Sequence, residues 1–265
     1  MNDGSSKKLG VIGGMGPAAT LLFYDMMIRH TAADSDQAHI DMIIISHASM
    51  PDRTKSLKEG RRDELLSKLS EDARLLETCG ADAVLITCNT SYVLADEIQA
   101  AIGVPLLSMI KEAVRECAGS VGADVSGGRL GFPDEDADIG GRADLSDGRR
   151  GKTAILATDG TIESGLYQRE LASLGMTGYI PSPESQKLIM KLIYEGVKGG
   201  GEPNIDDFSQ VENELIAAGC ERAILACTEL SVLKERWQLP EFYLDAMLSL
   251  VKRAIKFAER EYKNV

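Results

Sequence analysis

GADAVLITC at residues 80–88 and GCERAILAC at residues 219–227 are two versions of one pattern. In each, a glycine that suits a helix end is followed by an acidic residue, an apolar run typical of a buried strand, and a cysteine eight positions after the glycine. The preceding strands correspond as well, since GVIGGMG at residues 10–16 resembles AILATDG at residues 154–160. The sequence therefore predicts two related halves, with Cys88 and Cys227 at the carboxyl ends of equivalent strands.

Short apolar runs alternate with longer segments of helical periodicity along most of the chain. Predicted strands cover residues 9–12, 42–46, 83–87, 104–107, 153–157, 178–180 and 223–226. Predicted helices cover residues 18–30, 64–78, 93–101, 110–117, 165–174, 185–197, 208–218 and 244–262. This alternation predicts an α/β fold of two similar domains, each a mainly parallel sheet flanked by helices. Because ligands bind at the carboxyl ends of such strands, we expect the active site in the cleft between the domains.

The change from one half to the other coincides with a stretch of unusual composition. Residues 119–151 are dense in Gly, Asp, Ser and Arg and nearly lack periodic apolar residues. We interpret them as a flexible insertion that the surface tolerates; a functional lid is the alternative. We predict a first domain of residues 1–105 and 240–265, and a second domain of residues 106–239 that contains the insertion.

Composition limits the partners of the chain. Its 265 residues carry a formal net charge of −12 at pH 7, with a pI near 4.8, so it repels nucleic acid and anionic membranes. No apolar run approaches the ~20 residues of a membrane helix, and no apolar segment of a secretory signal follows Lys7 and Lys8. We therefore expect a cytoplasmic protein without membrane or nucleic-acid partners, whose five cysteines are thiols.

Two thiols on opposite sides of a cleft suit one kind of chemistry. Inverting the α-carbon of an amino acid requires removal of a proton from one face and return of a proton to the other, which two acid/base groups accomplish. Cysteines serve if one is a thiolate, so the site must lower one pKa. Helices that begin at residues 89–90 and 228–229 would direct N–H groups at the sulfur and at a substrate carboxylate. The other cysteines lie on or beside predicted helix ends without polar neighbours, and we interpret them as inert core residues: Cys79, Cys117 and Cys220.

Cofactor and metal motifs do not account for the polar residues. GVIGGMG follows a predicted strand but lacks the GxGxxG spacing of a dinucleotide site, and the sequence has no Walker A motif. The three histidines, His30, His39 and His47, show no metal-ligand spacing with the cysteines. We therefore predict neither a dinucleotide cofactor nor a metal.

Several motifs, in order over nearly the whole chain, resemble the aspartate racemase branch of the aspartate/glutamate racemase family. They are GGMGP at 13–17, PDRT at 51–54, CNT at 88–90, GTI at 160–162, GLY at 165–167, IYEGVK at 193–198 and CTEL at 227–230. Residues 119–151 depart from the family, which has a short connection there.

The resemblance implies a two-domain enzyme, commonly a homodimer, that racemises an amino acid such as aspartate without pyridoxal phosphate or metal. It implies that Cys88 and Cys227 are the acid/base residues. It also implies that Arg53 and Lys198 receive the side-chain carboxylate of aspartate. The other substrate-binding positions that it implies are Met15, Asn89, Thr90, Thr161, Thr228 and Glu229.

Two other classes of protein stay open at this point. One is another enzyme of the superfamily, namely a hydantoin racemase, a maleate isomerase or a decarboxylase; PDR at 51–53 and CTE at 227–229 favour the amino-acid branch. The other is a non-catalytic protein that binds an acidic metabolite, which would need neither cysteine. Glutamate and other amino acids also stay open as substrates, because a hydrophobic pocket discriminates one methylene by only about 1–3 kcal/mol.

Overall fold

A computed structural model describes residues 7–119 and 151–265 of the chain. Its strands form two four-stranded parallel sheets flanked by helices, which confirms the predicted α/β fold of two similar units. Apart from Gly119 and Gly151, the predicted insertion at residues 119–151 lies outside the described residues. Within the described part of the chain, no helix is long and apolar enough to cross a membrane.

The first sheet has the strand order β2-β1-β3-β4, with all neighbours parallel. Its strands are Leu9–Gly13 (β1), Met42–Ser46 (β2), Ala83–Ile86 (β3) and Leu106–Leu107 (β4). Its α-helices are Pro17–His30 (α1), Arg53–Lys58 (α2), Arg62–Thr78 (α3), Ala95–Ala100 (α4) and Met109–Gly119 (α5). Short 3-10 helices lie at Asp36–Ala38 and Thr90–Leu94. The central strand β1 is buried along its whole length, which explains its unbroken run of apolar and glycine residues.

The second sheet repeats this order as β6-β5-β7-β8, again with all neighbours parallel. Its strands are Lys152–Leu156 (β5), Thr177–Tyr179 (β6), Cys220–Leu225 (β7) and Tyr243–Asp245 (β8). Its α-helices are Asp159–Ser164 (α6), Leu166–Ser173 (α7), Pro183–Lys191 (α8), Ile205–Ala217 (α9), Thr228–Trp237 (α10) and Ala246–Phe257 (α11), and a π-helix covers Leu192–Lys198. β3 and β7 occupy equivalent places, so the repeat in the sequence is a repeat in the fold. Cys88 and Cys227 each lie two residues beyond the end of their strand.

The last strand differs from the prediction, which has a helix beginning at Leu244. Asp245 is the reason, because its side chain accepts hydrogen bonds from the N–H groups of Met247 and Leu248 and so starts α11 at Ala246. The residues before this cap pair with β7 instead. Pairing also places β4 in the first sheet and β8 in the second, so the strands of the two halves extend past residues 105 and 239. The predicted division into domains stays a prediction.

Helix α11 returns the chain to the first half. It packs against α5 and α1, and its residues Leu250, Val251 and Ala254 are completely buried. Burial of a large apolar side chain contributes about 1.5–3 kcal/mol, so this face attaches the C-terminal segment firmly to the first half. Beyond the helix, the N–H of Ala32 donates to the carbonyl oxygen of Glu261 at 2.9 Å.

Candidate active site

A narrow pocket opens between the two halves, at the carboxyl ends of β3 and β7. The nearly buried Cys88 and Cys227 both line it. The other lining residues are Asp52, Arg53, Thr54, Asn89, Thr90, Thr158, Tyr194, Lys198, Thr228 and Glu229. The structure thus brings together the cysteines of the repeat and all the predicted site residues except Met15 and Thr161.

Cys227 is held in the thiol form by its surroundings. Its Sγ donates a hydrogen bond to Oε2 of Glu229 at 2.9 Å, and Nζ of Lys198 lies 3.0 Å from Oε1 of the same carboxylate. Burial, followed by the charge of Glu229, raises the pKa of Cys227 well above its ordinary value and outweighs the opposing effect of Lys198. The expected lowering of one cysteine pKa therefore does not occur at Cys227, which keeps its proton at neutral pH.

Arg53 places a positive charge beside Cys88. It lies in the first turn of α2, behind the N-cap residue Asp52, and its guanidinium donates to the carbonyl oxygens of Met15 and Pro51, each at 3.1 Å. Burial lowers the pKa of Arg53, but the charge of Cys88, the charge of Asp52 and a hydrogen bond with Cys88 outweigh it, so the net shift is upward. Cys88 and Asp52 therefore both favour the charged form of Arg53.

The π-helix Leu192–Lys198 supplies the second cation of the pocket. Nζ of Lys198 lies 5.5 Å from the ring centroid of Tyr194, and the Tyr194 hydroxyl donates to Oδ2 of Asp52 at 3.1 Å. Burial lowers the pKa of Lys198, but the charges of Glu229 and of the two pocket cysteines raise it further, so Lys198 stays protonated. The pocket therefore contains two cations, from Arg53 and Lys198, and two carboxylates, from Asp52 and Glu229.

Asn89 presents an unused hydrogen-bond donor. It follows Cys88 and is 3% exposed. Its Oδ1 accepts a hydrogen bond of 2.6 Å from the hydroxyl of Tyr167 on α7. Its Nδ2 is buried and has no hydrogen-bond partner among the described residues. A buried amide group left without a partner costs about 1–3 kcal/mol, so a bound ligand with an acceptor would gain from pairing with it.

Met15 and Thr161 lie behind the pocket wall. The Thr161 hydroxyl is 2.9 Å from that of Thr90 and 3.2 Å from that of Thr158, and Thr90 and Thr158 are themselves 3.0 Å apart. Met15 accepts a hydrogen bond from Arg53 through its backbone carbonyl. Neither residue lines the pocket, but each contacts a residue that does: Met15 contacts Arg53, and Thr161 contacts Thr90.

Four lining residues are missing from the predicted set: Asp52, Thr54, Thr158 and Tyr194. Asp52 and Thr54 lie in the PDRT motif beside Arg53, and Tyr194 lies in the IYEGVK motif with Lys198. These motifs could therefore have predicted the three residues as neighbours of the site. The signal for Thr158 was its place in the repeat. Thr158 aligns with Gly14, and both residues follow the carboxyl ends of equivalent strands, where a ligand is expected.

The pocket is not lined by the other three cysteines or by His47, which follows the edge strand β2. Burial raises the pKa values of Cys117 and Cys220, which agrees with core positions. The prediction of a core residue is wrong for Cys79, which is exposed because it caps the end of α3. Nδ1 of His47 lies 2.7 Å from Oδ2 of Asp72. In residues 7–119 and 151–265, no three His, Cys, Asp or Glu side chains are grouped so as to hold a metal ion.

Comparison with known proteins places this geometry in context. A family model described as Asp/Glu/hydantoin racemase matches residues 12–131 and 142–254 of the chain. The broad specificity amino-acid racemase RacX of Bacillus subtilis (strain 168) is 25% identical over an alignment of 251 residues, and the match covers 93% of this chain and 96% of that protein. The unmatched residues 132–141 fall within the predicted insertion.

Solved structures share the fold. The aspartate racemase of Picrophilus torridus superposes with a TM-score of 0.73 at 23% identity, covering 97% of this chain and 96% of that one. A glutamate racemase from Campylobacter jejuni subsp. jejuni superposes with a TM-score of 0.61 at 18% identity, covering 97% and 88%. At these identities, the similarity establishes a common two-unit architecture.

Proposed function

The chain belongs to the Asp/Glu/hydantoin racemase family, and from this premise we propose that it interconverts L- and D-aspartate without a cofactor. The observation that carries the proposal is that Cys88 and Cys227, one from each half of the repeat, line one pocket. Two thiols provide both the base and the acid that inversion of an α-carbon needs.

In the proposed reaction, Sγ of Cys88 is a thiolate that removes the proton from one face of the α-carbon. The C–H bond breaks and an S–H bond forms on Cys88. Cys227 gives its thiol proton to the opposite face, and its sulfur takes up the negative charge beside Lys198. The other enantiomer reacts through the same steps with the roles exchanged. The cation of Arg53 beside Cys88 and the hydrogen bond from Cys227 to Glu229 support this assignment.

The α-carboxylate of the substrate is proposed to bind to Asn89, Thr90 and Thr228. Asn89 offers a buried amide donor without a partner, and the two threonines line the same pocket. Charge spreads from the α-carbon into this carboxylate as the proton leaves, so donors fixed around it stabilise the transition state.

The second carboxylate of aspartate is proposed to bind to Arg53 and Lys198, the two cations of the pocket. Lys198 lies 3.0 Å from Glu229, so the substrate would share this ammonium group with Glu229. In this proposal Met15 and Thr161 act from behind the wall, where they fix Arg53 and Thr90 through hydrogen bonds.

Incubation of the purified protein with L-aspartate in D₂O, without added cofactor, tests the proposal. Two bases predict that the D-aspartate formed early carries deuterium at Cα while unreacted L-aspartate stays protonated. Chiral chromatography coupled to mass spectrometry measures both. Equal early labelling of the two enantiomers would point to a single base, and failure to label any of the common amino acids would overturn the proposed function.

The enzyme is further proposed to form a homodimer through α1. Leu21, Tyr24 and Ile28 are 70%, 42% and 41% exposed, and their spacing puts them on one face of the helix. An exposed apolar stripe favours burial, and a two-fold axis would pair it with the same stripe of a second copy.

The five free thiols support a reducing, cytoplasmic environment.

A further inference from the structure

We propose that Tyr167 is a positioning residue of this site, which orients Asn89 so that the amide donor of Asn89 faces the substrate. The inference rests on the proposed function. Tyr167 lies on α7 and does not line the pocket. The sequence motifs assign it no role in the site.

The contact joins two enclosed side chains from different halves of the molecule. Tyr167 is completely buried, and its hydroxyl donates to Oδ1 of Asn89 at 2.6 Å. Asn89 lies between Cys88 and Thr90, both of which line the pocket. A hydroxyl of the second half therefore holds a pocket residue of the first half.

The hydrogen bond with the phenol leaves the donor end of the amide free. Rotation of a primary amide by 180° exchanges a carbonyl acceptor for an N–H₂ donor, with little change in shape. If Nδ2 were paired with Tyr167, Oδ1 would be the free group and would repel a carboxylate. Because Tyr167 donates to Oδ1, the free group is Nδ2. Burial raises the pKa of Tyr167 well above its ordinary value, so the phenol keeps its donor proton throughout the working pH range.

Tyr167→Phe tests the proposal because it removes only the hydroxyl. We expect KM for aspartate to rise at least fivefold, with a smaller change in kcat, because a misdirected amide weakens carboxylate binding more than it alters the thiols. Tyr92→Phe is the matched control. Tyr92 is also buried, but its hydroxyl donates to the carbonyl oxygen of Leu107 at 2.8 Å, so its loss should lower Tm without changing KM.

A double mutant identifies the path through Asn89. If Tyr167 acts by orienting Asn89, Tyr167→Phe should leave KM unchanged once Asn89→Ala has removed the amide. The proposal is overturned if Tyr167→Phe does not change KM in the wild-type background, or if it raises KM by the same factor in both backgrounds.

The wild-type protein separates this proposal from the proposed function. If wild type racemises aspartate and Tyr167→Phe has an unchanged KM, only the positioning role is wrong. If wild type racemises no amino acid, the proposed function is wrong, and calorimetric titration with L-aspartate decides the role of Tyr167. Weaker binding by Tyr167→Phe than by wild type would then support the role, whereas equal binding, or no binding to either protein, would overturn it.

Discussion

Cys88 and Cys227 occupy equivalent positions in the two halves, but their neighbours make them chemically different. Cys88 lies beside the cation of Arg53, whereas Cys227 donates its proton to the carboxylate of Glu229. Charged neighbours favour the opposite charge on a titrating group and disfavour the same charge. The surroundings of Cys227 therefore favour its neutral thiol, because burial and the charge of Glu229 raise its pKa.

Replacement of either thiol by a hydroxyl tests the pair. We expect Cys88→Ser and Cys227→Ser each to lower racemisation of aspartate by about 10²–10⁴-fold, the usual contribution of one acid/base group. Cys117→Ser is the control, since Cys117 is buried outside the pocket and should affect Tm but not turnover. Chiral chromatography gives the rates, and near-normal activity in either pocket variant would exclude two-base catalysis.

Lys198 should set the preference for a second carboxylate. Lys198→Gln removes one charge-assisted contact, so we expect kcat/KM for aspartate to fall by about 10-fold or more relative to kcat/KM for alanine. The comparison of the two substrates on one variant cancels any general effect on the thiols. An equal loss on both would show that Lys198 serves Glu229 or the α-carboxylate instead.

Among the helices and strands, length decided what the sequence could reveal. Strand β2 has the predicted bounds, Met42–Ser46, because Met42 and three isoleucines form a clear apolar run that ends at Ser46. The six-residue helices α2 and α6 were not predicted, because each is too short to show a helical period by itself. The equally short α4 falls within the predicted helix 93–101 because it continues directly from the 3-10 helix Thr90–Leu94. Helices α2 and α6 are defined by their N-cap residues, Asp52 and Thr158, and both caps also line the pocket. The repeat therefore predicted the two cysteines, but the wall around them depends on short elements that have no pattern.

Asp52 should matter through the start of α2. Its Oδ1 accepts from the N–H of Lys55 at 2.8 Å, and loss of such a cap typically costs about 1 kcal/mol. We expect Asp52→Ala to lower Tm by about 2–4 °C and to reduce activity by displacing Arg53, whereas Asp52→Asn should retain most of both. Thermal unfolding and initial rates check this. Equal losses of Tm and activity in both variants would mean that the charge of Asp52, and not its N-cap hydrogen bond, is required.

Glu214 on α9 should make the second sheet sensitive to acid. Burial raises its pKa, but hydrogen bonds from Ser182, Ser185 and Tyr179 lower it more, from 4.5 to about 2. The folded pKa lies below the unfolded one, so the carboxylate stabilises the fold above pH 4.5 and loses this effect as the pH falls towards 2. We expect Glu214→Gln to lower Tm by a few degrees at pH 7, with the difference shrinking below pH 4.5. The exposed Glu184 provides the control Glu184→Gln; a loss of Tm that is constant with pH would refute the explanation.

Across the whole molecule, the two sheets are joined by polar contacts around the pocket. Nζ of Lys58 on α2 lies 2.9 Å from Oδ2 of Asp159 on α6, and the hydroxyl of Thr228 donates to the carbonyl oxygen of Thr87 at 3.3 Å. The site therefore forms only when both halves are folded and in contact, which is why no stretch of the sequence defines it alone.

Assembly into a dimer should depend on the exposed face of α1. We expect the wild-type protein to sediment as a dimer at micromolar concentration, and Ile28→Glu to shift it towards the monomer. Ile216→Glu is the control, because Ile216 is 64% exposed on α9, away from this face, and should leave the dimer intact. A monomeric wild type, or equal dissociation by both variants, would show that α1 is not the interface.

The hydrogen bond from Cys227 to Glu229 has a consequence for reversibility. Enantiomers have equal free energies in water, so the equilibrium constant of racemisation is 1, and kcat/KM must be the same for the L- and D-forms of an amino acid that the enzyme racemises. The unequal thiols therefore cannot make the enzyme run in one direction. They can only change KM and kcat together, so that the enantiomer with the lower KM is turned over more slowly by the same factor.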